Sequence, residues 1–225
     1  MKVTIHQPEH LVWLGLIKKI ADADIFVILD SVQFEKNYFQ NRNKIKTQDG
    51  WMWLTVPVKK MPLITPIKDI EISYDQNWQD KYLKSLQVHY AKAPYFTKYY
   101  PAIEQIINKH HAHLADLNIE LLIFLLQSFG VNGKTIVRSS SMGLQAVGGS
   151  AVCLEIAQKQ GAHIYLAGPS GRDYLHLNDF AQAGIEVEFH HFDHPTYHQL
   201  HGDFLPYMAS IDALFNLGPK AKDIL

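Results

Sequence analysis

The sequence is poor in cysteine, in net charge and in long apolar runs. Cys153 is its one cysteine, so an internal disulfide or a cysteine-based zinc site is excluded, and we expect a reducing, cytoplasmic compartment. The formal net charge is −1, so binding to long nucleic acid is not expected. The most apolar run, LLIFLL at 121–126, is far shorter than the roughly 20 residues that cross a bilayer, and no signal peptide is visible, so we expect no membrane insertion.

What the chain does contain is an ordinary globular composition with a strand–helix–strand start. Apolar residues make up 47% and charged residues 19% of the 225 positions. The β-branched run 2–6 and the continuous apolar run 24–30 predict strands, the second one buried on both faces of a parallel sheet. Between them, Leu11, Leu14 and Ile17 recur at a helical interval. We therefore expect a right-handed βαβ unit.

The remainder of the chain extends this pattern. Further strands are predicted at 51–58, 67–73, 134–141, 163–168 and 185–192, and further helices at 150–161, 176–184 and 210–218. Helical spacings fill 76–130 and predict an insert of two or three helices. The predicted fold is α/β, with a Rossmann-like, mostly parallel sheet flanked by helices. No linker is visible, so the prediction is a single domain over 1–225.

Polar stretches follow four of the predicted strands. In open α/β sheets, ligands bind outside the carboxyl ends of the strands, so these stretches are the candidate site. We predict His6 and Lys36 as catalytic residues. The predicted substrate-binding residues are Gln7, Asp30, Gln33, Asn37, Asn41, Arg42, Asn43, Lys46, Ser139, Ser140, Gly168, Gly171 and Tyr174.

The first of these stretches, HQPEH at 6–10, has two possible interpretations: an ordinary turn, or a polar binding edge at the carboxyl end of a parallel strand. His6 at a strand end is the stronger candidate, although a lone histidine is commonly a satisfied core residue. Pro8 is expected to fix the chain just ahead of a helix N-terminus, which favours anions. His10 is expected on the first helical turn and is the weaker candidate.

Two other stretches have the composition of anion sites. The segment 36–46 is locally basic and rich in amides, so it is expected to form a loop that holds phosphates, with a solvated surface loop as the alternative. GPSG resembles a tight anion-holding turn, because Gly168 and Gly171 permit positive φ and let backbone N–H groups approach a phosphate. Glycine turns end many strands, so this second signal is weak on its own.

The order and spacing of these motifs resemble the WbqC-like family over nearly the whole chain. The resemblance rests on IHQPEHLVWLG, on AHIYLAGPSGRDYL and on GIEVEFHHFDHPTYHQLHGDFLPYMASIDALFNLGP. It implies a role in O-antigen or other surface-polysaccharide synthesis, including lipopolysaccharide. Two positions depart from the family pattern: His10 stands where an aromatic is usual, and the helix carrying Glu155 lacks the usual arginine.

Three functions remain open at this point. The first is a transferase or ligase that adds an acyl or aminoacyl group to a nucleotide-linked amino sugar, with a nucleotide sugar or an activated acyl donor as its partner. The second is a class I nucleotidylyl-transferase-like enzyme using a nucleoside triphosphate with magnesium, by analogy with the spacing of Gln7 and His10. The third is a non-catalytic nucleotide-sugar binder. Homo-oligomers are left open.

The histidine-rich tract 190–201 is predicted to bind no metal. Neighbouring His190 and His191 would point to opposite faces of a strand, and Pro195 argues against a helix that could bring other histidines together. Tyr197 and Gln199 are better candidates for binding or packing. Cys153 on an apolar helix face is expected in the core.

Overall fold

The computed structural model describes all residues, 1–225, and its chain divides into two compact units. Unit 1 comprises Met1–Gln7, Lys18–Ser31 and Gly133–Asp193. Unit 2 comprises Pro8–Ile17, Val32–Asn132 and His194–Leu225. The single-domain boundary stays a prediction, and the two units are described separately.

Unit 1 is built on a five-stranded parallel sheet. Its strands are β1 Lys2–His6, β2 Ile25–Ile28, β5 Thr135–Arg138, β6 Ile164–Ala167 and β7 Glu186–Phe189. The strand order is β5-β2-β1-β6-β7, and every neighbouring pair is parallel. With these strands numbered one to five along the chain, the order is 3-2-1-4-5, which is the doubly wound order without a sixth strand. The prediction of an α/β fold with a parallel sheet is therefore confirmed.

Helices cover the sheet because its strands carry apolar side chains on both faces. All four residues of β2 are buried, as the continuous apolar run predicts. On one face, Val3, Val27 and Tyr165 pack with Cys153 and Ile156. The last two belong to α5 Gly149–Lys159, and α6 Leu177–Gln182 adds Phe180 to the same core. The prediction that Cys153 is a core residue is confirmed.

Unit 2 contains a two-stranded hairpin and most of the helices. The hairpin pairs β3 Arg42–Thr47 with β4 Gly50–Thr55 in antiparallel register. The helices are α2 Trp78–Tyr90, α3 Phe96–Asn108, α4 Leu114–Ser128 and α7 Ile211–Leu217. Helices α2–α4 lie within the segment predicted to be helical, but that they form an insert stays a prediction. No helix has both the length and the apolar character needed to cross a membrane.

Two local predictions are wrong. The run 67–73 forms a 3₁₀ turn at Ile67–Asp69 and two isolated bridges instead of a strand, because Pro66 starts a turn in which its carbonyl accepts from Asp69 N–H. Helix α1 spans Leu14–Ala21, so His10 precedes the helix by a turn. Leu11 has φ 44°, which interrupts the helical path before it starts.

Candidate functional site

The topological switch point of unit 1 lies between β1 and β6. Strands β2 and β5 follow on one side of β1, and β6 and β7 follow on the other. Thr4 pairs with Leu166 in register, so the half-buried His6 and Gln7 at the end of β1 stand beside Gly168 at the end of β6. A crevice at this position is where open α/β sheets bind ligands. The structure therefore brings together three of the predicted residues, His6, Gln7 and Gly168.

A buried lysine that the sequence reading missed adds positive charge at this switch point. Lys19 on α1 is 4% exposed, and its Nζ donates to the carbonyl oxygen of Ile5 at 3.0 Å. A methyl group built on Gly168 would lie 3.8 Å from the same Nζ, so the ammonium sits against the end of β6. Helical side chains lean towards the helix N-terminus, which directs Lys19 towards the strand ends. No signal in the sequence marks this burial, because helical spacing groups Lys19 with Lys18 on the polar side of α1.

His190 is a second missed residue at this edge. Its N–H donates to the carbonyl oxygen of Ala167 at 2.8 Å, at the end of β6. Its side chain is 8% exposed, and its Nε2 has no hydrogen-bond partner, since Asp22 Oδ2 is 3.6 Å away. Burial lowers the pKa of His190, and nearby Lys19 acts in the same direction, whereas Asp22 opposes it. A neutral imidazole with an unpaired ring nitrogen can donate to a ligand or accept from one.

The predicted Asp30, Ser139 and Ser140 also meet, at the ends of β2 and β5. The fully buried Asp30 carboxylate accepts from Ser139 Oγ at 3.1 Å, and from Ser140 N and Oγ, each at 2.9 Å. Arg138 Nε completes the cluster at 2.6 Å from Asp30 Oδ2. These four bonds join two neighbouring strand ends and compensate a buried charge. The contacts shown are structural, and a role in substrate binding stays a prediction.

The GPSG turn differs from the phosphate nest that its glycines suggested. Gly168 has φ −70°, and Gly171 is not among the residues with positive φ, so neither glycine uses the conformation that it permits, and a ligand role for the turn stays a prediction. Gly171 N–H donates to the carbonyl oxygen of Gly168 at 2.9 Å within a 3₁₀ turn. A methyl group on Gly171 would lie 3.0 Å from Leu175 and 3.1 Å from Ala167. Close packing explains this glycine, because the site has no space for a side chain.

Tyr174 lies after this turn and stays partly accessible. It is 46% exposed, and it lies close to a buried pair in which Tyr165 donates to Cys153 Sγ at 3.5 Å. Burial raises the pKa of Tyr174 to about 12, with the neighbouring thiol acting in the same direction. The hydroxyl is therefore a neutral hydrogen-bonding group at physiological pH.

The basic stretch 36–46 consists of a turn over 36–41 followed by the first five residues of strand β3 of unit 2, and a role in holding phosphates stays a prediction. Asn43 Nδ2 donates to the carbonyl oxygens of His10 and Leu11, each at 3.0 Å. Asn41 Nδ2 donates to the carbonyl oxygen of Val56 at 3.0 Å. These buried amides satisfy backbone groups, which is as common a use of asparagine as ligand binding.

The charged residues of this stretch are likewise engaged in unit 2. The guanidinium of Arg42 stacks over Trp53 at 4.1 Å and donates to the carbonyl oxygen of Asn37. Lys46 is 1% exposed, and its Nζ donates to the carbonyl oxygens of Gly202 and Asp203. Two further predicted residues, Gln33 and Lys36, are exposed. The two predicted catalytic residues therefore belong to different units, with His6 in unit 1 and Lys36 in unit 2.

His10 is fully buried in unit 2 within a network of neutral side chains. Its Nδ1 donates to Asn118 Oδ1 at 2.9 Å, and its Nε2 accepts from Tyr82 at 2.8 Å. The amide of Asn118 donates to the carbonyl oxygens of Pro8 and Gln40, which fixes Oδ1 as the acceptor and hence the tautomer. Burial lowers the pKa of His10 to about 4, against the effect of the bond to Asn118. This histidine is a structural residue with no surface to offer a phosphate.

The residues of the P-x-Y-x-Q pattern surround a buried carboxylate in unit 2. Asp212 accepts from Tyr90 at 2.8 Å and from Tyr197 at 2.9 Å, and Gln199 Nε2 donates to Tyr197 at 3.2 Å. Burial raises the pKa of Asp212, while these hydrogen bonds and the positive charge of Lys46 act in the opposite direction. Tyr197 and Gln199 are thus packing residues in this structure.

No group of three or more histidine, cysteine, aspartate or glutamate side chains is arranged to hold a metal ion. In the histidine-rich tract, His191 pairs with Asp193 at 3.0 Å on the surface. His201 bonds the carbonyl oxygen of His89 at 2.7 Å.

Comparison with known proteins identifies a family and a relative of this chain. The model of the WbqC-like protein family matches residues 7–224. The uncharacterized protein Rv1507c of Mycobacterium tuberculosis is 31% identical over 228 residues, covering 100% of this chain and 97% of its own. No solved structure matches.

Proposed function

Because the chain belongs to the WbqC-like protein family, we propose that it is a transferase or ligase of surface-polysaccharide synthesis. In this proposal it binds a nucleotide-linked amino sugar at the switch point of unit 1 and adds an acyl or aminoacyl group to the sugar amine. The proposal rests on one observation. His6 and Gln7 at the end of β1 lie beside Gly168 at the end of β6, and the buried ammonium of Lys19 lies next to these strand ends.

Electrostatics support an anionic ligand at this position. Lys19 is 4% exposed, so the electric field of its ammonium would reach a ligand at the switch point with little screening by water. The unpaired Nε2 of His190 adds a hydrogen-bonding group at the same edge. A diphosphate bound here would lie near the Lys19 ammonium, and hydrogen bonds between oppositely charged groups are stronger than those between neutral ones.

The chemical step requires one proton transfer. The sugar amine attacks the carbonyl carbon of the activated acyl donor, the bond to the leaving group breaks, and the leaving group departs with the bonding electrons. His6 takes the proton that the amine loses, which is the task of a general base. Gln7 is placed next to His6 and can hold the sugar or the acyl carbonyl through its amide.

The nucleotidylyl-transferase alternative loses its specific support in this structure. It depended on His10 as half of a phosphate-binding pair with Gln7. His10 is 0% exposed, and both of its ring nitrogens are hydrogen-bonded, one to Asn118 and the other to Tyr82, so it cannot reach a phosphate. Its protonated form is also disfavoured, since its pKa is lowered to about 4.

The experiment separates binding from turnover. Calorimetric titration with uridine, thymidine and guanosine diphosphates and with UDP-linked amino sugars measures binding, and mass spectrometry of mixtures with acyl thioesters and acyl phosphates detects the acylated sugar. We expect Lys19→Met to weaken diphosphate binding about tenfold or more. The matched control Lys18→Met, at a half-buried residue paired with Asp22, should bind as the parent does.

The variant His6→Ala distinguishes an enzyme from a binding protein. If His6 is the general base, this variant loses about 10²–10⁴-fold in turnover and still binds the nucleotide sugar. Full turnover in folded His6→Ala would remove it from the mechanism. Binding by the parent protein without product from any donor tested would instead identify a non-catalytic nucleotide-sugar binder.

A further inference from the structure

Unit 2 contains a cleft of about 510 Å³ that no predicted function uses. It lies between strand β4 and the first half of helix α2, with segment 73–76 along its rim. Its lining includes Trp53 and Thr55 from the strand, and Trp78, Lys81 and Tyr82 from the helix. Ligand sites of proteins have volumes of about 300–1,000 Å³, so the cleft is large enough for a small molecule.

One wall of the cleft is the unpaired edge of a β-strand. Strand β4 pairs with β3 alone. On β3, Lys46 N–H donates to the hydroxyl of Tyr90, and the carbonyl oxygen of Lys44 accepts from Ala209 N–H. The backbone groups of Lys44 and Lys46 therefore point away from β4. Lys44 pairs with Trp53, and in an antiparallel ladder both members of such a pair point outward. The N–H and C=O of Trp53 are therefore directed out of the hairpin on the side of the cleft.

The floor is aromatic, whereas the rim is polar. Trp78 and Tyr82 are 6% and 3% exposed, and their rings meet edge-to-face with centroids 5.8 Å apart. Trp78 Nε1 is buried without a hydrogen-bond partner. On the rim, Asp75 and Lys81 are exposed and carry opposite charges, so the cleft has no excess of one sign.

We propose that this cleft binds an uncharged sugar of about one or two pyranose rings. A pyranose has an apolar C–H face and a rim of hydroxyl groups, which matches an aromatic floor bordered by amide, hydroxyl and balanced charged groups. Hydroxyls would satisfy the outward N–H and C=O of Trp53, whereas a purely apolar ligand would bury them unpaired. A phosphate would meet Asp75 as well as Lys81 and gain little.

An extended peptide added to the edge of β4 is the competing occupant, and the strand is too short for it. The residues of β4 whose backbone N–H and C=O groups point outward end before Pro57. Beyond it, Val58 forms a β-bridge with Ile72, and Lys59 N–H donates to the carbonyl oxygen of Glu71. Strand addition draws its affinity from several consecutive main-chain bonds. The unpaired part of this edge offers few of them, so a compact polar ligand fits better than a strand.

The sugar site stands independently of the nucleotide site proposed for unit 1, and its test uses different probes. Saturation-transfer NMR with methyl β-glucoside and with N,N′-diacetylchitobiose detects binding to the full chain, and tryptophan fluorescence gives its affinity. We expect Asp75→Ala and Lys81→Met each to weaken that affinity about fivefold or more, because hydrogen bonds to charged groups are lost. Lys84→Met, an exposed residue of the same helix outside the cleft, is the matched control.

Several outcomes would overturn the proposal. They are the absence of any saturation transfer to either sugar, an equal loss of affinity in Lys84→Met, and displacement of the bound sugar by uridine diphosphate. Thermal unfolding of each variant confirms that the comparison is made between folded proteins. Retained sugar binding in a protein that fails to bind nucleoside diphosphates would support this site while contradicting the function proposed for unit 1.

Discussion

The buried imidazole of His10 should make the protein sensitive to mild acid. Its pKa is about 4 in the folded state, against its ordinary value of 6.5, which the unfolded chain recovers. Between these two values the unfolded state binds more protons than the folded state, so stability is complete above pH 6.5 and is lost as the pH falls towards 4. A difference of about 2.5 pKa units at roughly 1.4 kcal/mol each gives about 3 kcal/mol. Most of this is lost by pH 4.5.

The assay is urea unfolding at a series of pH values from about 7.5 to 4.5. We expect the parent protein to lose about 2–3 kcal/mol more of its unfolding free energy over this range than the variant His10→Gln does. Glutamine keeps a donor for Asn118 and an acceptor for Tyr82 but does not titrate. His89, His190 and His194 also have lowered pKa values, but their contribution is common to both proteins.

The control is His176→Gln, because that side chain is 75% exposed and has no buried contact to lose. It should follow the pH dependence of the parent. An identical pH dependence in parent and His10→Gln would refute the reasoning, since it would mean that His10 is not held neutral in the folded state.

Three further predictions concern stability and are checked by the same unfolding assay. Asp30→Ala should cost about 1–3 kcal/mol, because it leaves Ser139 and Ser140 without their buried acceptor, and an unchanged stability would contradict this. Gly171→Ala should cost about 1–3 kcal/mol through overpacking, whereas Gly168→Ala, with 3.8 Å of clearance, should stay within about 0.5 kcal/mol. Lys46→Met should cost about 1–3 kcal/mol, because the carbonyl oxygens of Gly202 and Asp203 lose their donor, and an unchanged stability would contradict this.

The sheet of unit 1 could be predicted because its strands are short, apolar and separated by recognisable helices. The run IFVI at 25–28 has no polar position, which is typical of a strand covered on both faces. The position of His6 and Gln7 at the carboxyl end of β1 followed from the same pattern. The strand order itself was not readable from the chain, and it is the order that places Gly168 beside them.

The division into two units could not be predicted, since it leaves no mark in the composition. Unit 2 gathers three segments that are distant in sequence, and no glycine- or proline-rich linker marks the points where the chain passes from one unit to the other. The polar stretch 36–46 illustrates the consequence. Amides such as Asn41 and Asn43 have the same composition whether they bind a ligand or a buried carbonyl, and only the packed structure distinguishes the two.

Lys19 and His190 show the opposite limitation. Helical spacing groups Lys19 with Lys18 on the polar side of α1, and composition groups His190 with the histidine-rich tract. Burial separates each from its neighbours: Lys19 is 4% exposed while the adjacent Lys18 pairs with Asp22 at the surface. Burial depends on tertiary packing, which one-dimensional spacing does not report.

Hydrogen–deuterium exchange with and without saturating uridine diphosphate tests the central claim most directly. If the switch point of unit 1 is the nucleotide site, peptides covering residues 5–7 and 168–170 should gain protection in the parent protein and not in Lys19→Met. Protection confined to peptides of unit 2, or no protection at all under conditions where the diphosphate is shown to bind, would contradict the account.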